Sequence, residues 1–207
     1  MRKIIQTADI EKMDRQYRTN LLNALSGYKG AHLVGTVDQE GHTNLALFNS
    51  VVHIGSNPPL LGFILRPTTV SRHTYQNIKE TGYYTINHAL IDHFEQAHQT
   101  SAKYPEDTSE FEACGFMPFY GDLHPAPYVD DCLTNIGLEF VEEHTIEANQ
   151  TLLIVGKIVE LMLPKRAIGA DGHIDLAALG SVAVVGLDTY YKTEKLKRMG
   201  YARPKKG

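Results

Sequence analysis

The sequence predicts a mainly β protein, a single antiparallel β-barrel with added helices, and three observations carry that expectation. Short runs rich in Val, Ile and Leu recur along the chain between turn-forming residues. Two of the longest, 133–142 and 151–163, flank a polar connection at 142–150 and read as a long hairpin. No repeat, low-complexity tract or linker interrupts the 207 residues, so the whole of 1–207 is expected to form one domain.

The elements follow in order. Ile10, Met13, Tyr17, Leu21, Ala24 and Leu25 recur at helical spacing ahead of Ser26 and Gly27, which predicts an amphipathic helix over 8–26 with its apolar side on the sheet. Residues 31–37 favour a strand and 38–41 a hairpin turn, after which 43–54 resumes as one extended run. Residues 60–65 form the third strand. A short helix from a Ser71 cap to Thr81 stops at Gly82, and 82–87 is a fourth strand with Tyr84 and Ile86 on one face. The stretch of about 90–128 breaks the pattern: 91–102 is weakly helical, 110–114 suits one turn, and 116–128 is rich in Pro, Gly and aromatics. It is expected to be a helical and irregular insertion.

Composition excludes several classes. A net charge of −4 gives no global basic field for nucleic acid. No apolar run approaches the roughly 18 residues of a membrane span, so the expectation is a soluble, cytoplasmic protein. Cys114 and Cys132 are too few for a disulfide framework and read as reduced structural thiols. His88, His93 and His98 are spaced by five, which turns successive side chains about 140° apart on a helix, and no metal site is expected. The tail from 192 to 206 carries seven basic residues and reads as a solvated terminus.

The start of the helix at 71 is the sharpest chemical signal. Arg72 and His73 stand in its first turn, where the helix dipole already presents positive charge, an unfavourable placement unless an anion binds there. Free backbone N–H groups, the Ser71 and Thr74 hydroxyls and the Arg72 guanidinium together make a phosphate-binding set. An ordinary surface helix with Arg72 in water is the competing reading.

The residues that surround this helix carry a family resemblance. Thr43, Asn44, Leu45, Ala46, Phe48 and Ser50, then Gly55-Ser56-Asn57-Pro58-Pro59, then Arg72-His73-Thr74 with Asn77-Ile78-Lys79-Glu80-Thr81-Gly82-Tyr83-Tyr84-Thr85-Ile86-Asn87, resemble the flavin reductase-like, FMN-binding split-barrel proteins that include flavoredoxin. The match is strong over residues 30–90 and recurs in Gly186-Leu187-Asp188-Thr189-Tyr190-Tyr191 and Tyr201-Ala202-Arg203-Pro204.

The resemblance implies a Greek-key split β-barrel of six strands, paired as a homodimer with FMN near the interface. It implies that Asn44, Ala46, Leu47, Phe48, Asn49 and Ser50 lie along the isoalloxazine edge. Arg66, Ser71, Arg72, His73 and Thr74 would hold the phosphate, with Asn77 bracing the helix. Relatives often carry an acid where His73 stands, and the exchange adds potential positive charge. The implied function is an FMN-dependent oxidoreductase in which flavin N5 carries the chemistry and no side chain acts as catalyst. NADH or NADPH are candidate electron donors beside a redox protein. A non-catalytic FMN-binding or electron-carrier module with a protein partner is the alternative.

Overall fold

Asp38 closes the first hairpin with its own carboxylate. Its Oδ1 accepts from the N–H groups of Glu40 at 2.9 Å and His42 at 2.8 Å, and its backbone N–H donates to the His42 carbonyl at 3.1 Å. The computed structural model describes residues 1–105 and 107–204. Among these the chain runs α1 (Thr7–Glu11), α2 (Arg15–Ala24), β1 (Lys29–Gly30), β2 (His32–Val37), β3 (Thr43–Phe48), β4 (Val52–Ser56), β5 (Pro59–Leu65), α3 (His73–Thr81), β6 (Tyr83–His88), α4 (Phe94–Gln99), α5 (Glu110–Ala113), β7 (Pro118–Phe119), β8 (Tyr128–Val129), β9 (Asn135–Ile146), β10 (Thr151–Met162), β11 (Val182–Val185) and β12 (Thr189–Lys192).

Seven strands make one antiparallel sheet in the order β3-β2-β6-β9-β10-β5-β4. Its outer strands, β3 and β4, are consecutive in the chain and joined only by residues 49–51. That link reaches about 14 Å at full extension, whereas six interstrand gaps in a flat sheet span about 29 Å. The sheet must therefore roll up, and because β3 and β4 share no ladder the barrel stays split along that seam.

The barrel has seven strands where six were implied. The run 43–54, expected to be continuous, breaks at 49–51 because the chain there crosses from one edge of the sheet to the other. The long hairpin of β9 and β10 forms as expected, pairing Thr151 with Ile146 at its tip.

Two apolar clusters lie on opposite faces of the sheet. Val34, Phe63, Leu65, Tyr84, Ile86, Ile136, Leu138 and Ile154 fill the barrel, joined by Ile78 from α3. Leu33, Leu45, Ala97, Phe111, Cys114, Val129, Cys132 and Val184 pack outside it, beneath α4, α5 and β11. Leu33 and Val34 enter different clusters because successive strand side chains alternate faces, and with both faces covered β2 is buried along its whole length. Cover is close at Gly35, where an added Cβ would run into the carbonyl oxygen of Pro127. Both cysteines are free and buried, as expected of structural thiols.

Three local expectations are corrected. The helix over 8–26 is two helices, because the Asp14 carboxylate accepts from Gln16 N–H at 2.8 Å and Tyr17 N–H at 3.1 Å and so starts α2 afresh. Its apolar side does not sit on the sheet: neither α1 nor α2 has a buried residue, and Leu25 is 72% exposed. In α3 the N-cap position falls to Arg72, not Ser71, whose hydroxyl donates instead to Gln76 Oε1 at 3.1 Å. The Gly82 stop holds, with φ of 76°.

A second small sheet, β1-β11-β12, was not expected. Strands of two to four residues carry too little periodicity to read. The tail beyond β12 is exposed and tied back by Lys195 to Asp175 and Arg198 to Asp171, each at 2.6 Å, while Lys205 and Lys206 of the basic tail lie outside the described residues. No helix among the described residues is long and apolar enough to cross a membrane.

Candidate functional site

A cavity of about 810 Å³ opens where the barrel is split, and of the residues expected at a site only Asn77 is absent from its wall. Asn44, Ala46, Leu47, Phe48, Asn49 and Ser50 form one side, as β3 and the link that follows it. Arg66 follows β5, and Ser71, Arg72, His73 and Thr74 lead into α3. Residues distant in sequence meet here because the seam brings the end of β3 beside β5.

Side chains tie the 49–51 link to its neighbours. Ser50 Oγ donates to the Ile64 carbonyl at 3.0 Å and accepts from the Ile64 N–H at 3.1 Å. Asn49 Nδ2 donates to the Gly186 carbonyl at 2.8 Å, which docks the β11–β12 turn against the barrel. The Ser50 hydroxyl, expected to face a ligand, is thus engaged as both donor and acceptor within the chain. Ser50 and Asn49 still line the cavity.

The α3 end is built differently. No side chain caps the helix, so the first-turn N–H groups keep their donors. Arg72 Nε is buried and has no hydrogen-bond partner among the described residues, a costly state for a charged donor. Thr74 is 6% exposed, and its Oγ1 accepts from Asn44 Nδ2 at 3.0 Å. Asn77 braces from below: it is buried, and its Nδ2 donates to Thr36 Oγ1 at 3.2 Å.

The opposite wall escaped the sequence reading. His98, in the last turn of α4, and residues 100–104, which follow it, line the cavity together with Glu110, Leu187 and Asp188. Glu110 Oε2 accepts from the Leu45 N–H at 3.0 Å, closing the free edge of β3, and Thr43 Oγ1 meets Ser109 Oγ at 2.7 Å. His98 Nδ1 lies 3.0 Å from the Tyr190 hydroxyl, whose pKa is pushed up to about 12, first by burial and then by the Asp188 charge. Tyr190 therefore keeps its proton at neutral pH. No local pattern marks residues 98–104, and only the packing of Ala97 and Phe94 into the outer core brings them to the cavity.

What the arrangement can do is bind an anion-bearing molecule with a flat body. Arg66, Arg72, His73 and the helix start supply charge and donors at one end. The apolar side chains and main chain of 46–48 supply a narrow floor.

Comparisons with known proteins agree with this fold. A family model described as a flavin reductase like domain matches residues 27–180. A solved split-barrel-domain protein from Shewanella frigidimarina NCIMB 400, a candidate flavin reductase, is 44% identical with a TM-score of 0.93, covering 97% of this chain and all of that one. Flavoredoxin of Desulfovibrio vulgaris (Miyazaki F) shares the fold at a TM-score of 0.73 and 22% identity, over 84% of this chain and 91% of that one. A curated protein of Methanothermobacter thermautotrophicus is 28% identical over 132 residues, a match that spans 62% of this chain and 60% of that relative.

Proposed function

The chain belongs to the flavin reductase-like domain family, and from that premise we propose that it is an FMN-dependent oxidoreductase, passing hydride or electrons through FMN to a flavin, a protein or a small acceptor. The observation that carries the reading is Arg72, whose buried Nε has no partner among the described residues beside the uncapped start of α3. A phosphate would satisfy both at once.

The residues present fit the group. Arg72, Ser71, Thr74 and the first N–H groups of α3 would take the phosphate, with Arg66 adding positive field and His73 a ring nitrogen beside it. Residues 44–50 would border the ring system, their main chain offering the hydrogen bonds that orient it, while Phe48 is kept in place by an edge-on contact to Phe63 at 4.8 Å. FMN, when bound, supplies the hydride and electron chemistry. The chain's part is to orient it, to shield it from water through residues 98–104 and the 186–188 turn, and to set its electrostatics.

The unit that does this is the whole of 1–207 as one domain, working in the cytoplasm as a homodimer with FMN near the interface. NADH, NADPH and a redox protein remain the candidate electron donors.

The test is a visible absorption spectrum of the purified protein, identification of any released chromophore, then anaerobic addition of NADH and NADPH in turn. Bound or added FMN that bleaches with a nicotinamide supports the enzyme. FMN that binds and resists both favours the electron-carrier alternative, and a colourless protein that ignores added FMN overturns the reading.

A further inference from the structure

We propose that His98 holds the oxygen of a small electron acceptor of the quinone class against the ring-binding wall of the cavity, donating from Nε2, and that Tyr190 is the positioning residue that keeps the imidazole turned that way. The proposal rests on the reading that residues 44–50 border the ring system of FMN.

His98 stands in the last turn of α4, and α4 packs on β3, the strand that enters that border. Phe94, one turn earlier on the same face of α4, meets Tyr190 of β12 with ring centroids 5.5 Å apart. Both pack on the outer core together with Leu47, which also lines the cavity. Asn49 fixes the arrangement from the other side, since the turn it holds through Gly186 leads straight into β12. His98 Nδ1 lies 3.0 Å from the Tyr190 hydroxyl, with the two rings crossed at 87°. His98 lines the cavity and Tyr190 does not, so the imidazole meets Tyr190 through its Nδ1 edge and leaves its Nε2 edge for the open space.

The phenol decides what that edge offers. Its oxygen shares a lone pair with the ring and accepts weakly, whereas an unprotonated imidazole nitrogen accepts well. Tyr190 keeps its proton and has no other acceptor among the described residues. In the neutral pair it therefore donates to Nδ1, and the proton of the imidazole sits on Nε2. In the imidazolium both nitrogens carry protons. Nε2 is a donor in either charge state and never turns a lone pair to the cavity.

A fixed donor selects a ligand that accepts. Lys103 and Asp188 bring one charge of each sign to the same wall, so it favours no net charge on that ligand. A quinone is flat, uncharged and carries acceptor oxygens without protons of its own. When it takes a hydride from reduced FMN, an N–H bond of the flavin breaks with its electron pair and an O–H bond forms on one quinone oxygen. The flavin is oxidised, the quinone is reduced by two electrons, and the negative charge settles on the other oxygen. His98 Nε2–H stabilises that charge, and water supplies the proton that completes the hydroquinone.

The ring is read first, by ¹⁵N–¹H NMR of the full-length protein at a pH raised until the His98 signals cease to move, with His98→Gln assigning them. Nε2–H is expected in the wild type, with Nδ1–H appearing in Tyr190→Phe, which keeps the packing on Phe94. Nδ1–H in the wild type would overturn the proposal. FMN uptake is then measured by fluorescence titration, and the loaded protein is reduced with dithionite without oxygen and mixed with menadione or with ferricyanide, which takes single electrons and no hydride. The ratio of the menadione rate to the ferricyanide rate is expected to fall roughly tenfold in His98→Leu, the scale of one hydrogen bond to a charged group. It should fall less in Tyr190→Phe and recover in His98→Gln, whose amide donates. An unchanged ratio in His98→Leu would overturn the acceptor role while leaving the FMN reading intact, and a wild type that takes up no FMN would overturn both.

Discussion

Ser50, in the link between β3 and β4, bonds both polar groups of Ile64 on β5, in line with the β4–β5 pairing of Val52 with Gly62: its hydroxyl donates to the Ile64 carbonyl at 3.0 Å and accepts from the Ile64 N–H at 3.1 Å. The described β4–β5 ladder ends at Val52 and Gly62, and the Ser50 side chain supplies the next rung. Ser50→Ala leaves both Ile64 groups without their partner, which costs about 1–3 kcal/mol. A urea titration should show a lower midpoint with an unchanged slope, while Ser71→Ala, on the exposed approach to α3, stays within about 0.5 kcal/mol of wild type. An unaltered midpoint for Ser50→Ala would remove this contact from the account of stability.

Arg72 should show the opposite pattern. Its Nε is buried without a partner, so the free protein bears the cost of that group and the ligand would recover it. Arg72→Ala is expected to weaken FMN binding about ten- to a hundredfold. Riboflavin affinity should hold, and the urea midpoint should stay level or rise as that cost is relieved. Unchanged FMN affinity in the titration would sink the phosphate assignment.

The His32 and His88 rings, opposite each other on β2 and β6 and edge to face at 4.7 Å, make stability depend on pH. Burial lowers the His32 pKa to about 3, with His88 adding to the effect, and burial lowers that of His88 to about 4. In the unfolded chain both titrate near 6.5. Between these values the unfolded state binds more protons, so the stabilisation is complete above about pH 6.5 and falls away on acidification toward pH 4. Each histidine contributes a slope of about 1.4 kcal/mol per pH unit within that window. Urea midpoints from pH 4.5 to 7 should register it. His32→Phe should remove about half the slope, and a slope that persists in full would assign the acid sensitivity to other groups.

Much of the barrel was legible because its strands are long enough to alternate. Tyr84 and Ile86 point into the barrel as their spacing required, and the β9–β10 hairpin announced itself by two apolar runs about a polar connection. Asp14 shows the opposite case. Helical periodicity runs straight through it, yet its carboxylate takes two N–H groups and divides the helix, a local competition that periodicity does not register.

By itself the sequence determined the long strands and a helix that begins close to 71–74 with Arg72 and His73 at its start, since propensity, turn residues and charge placement act over a few neighbouring residues. Tertiary structure alone decided that 49–51 crosses between the two edges of the sheet, that Ser50 is occupied by Ile64, and that residues 98–104 face Arg72 across a cavity. Those outcomes depend on closing a sheet whose first and last strands are neighbours in the chain, and closure is a property of all seven strands together, with no signature at any one position.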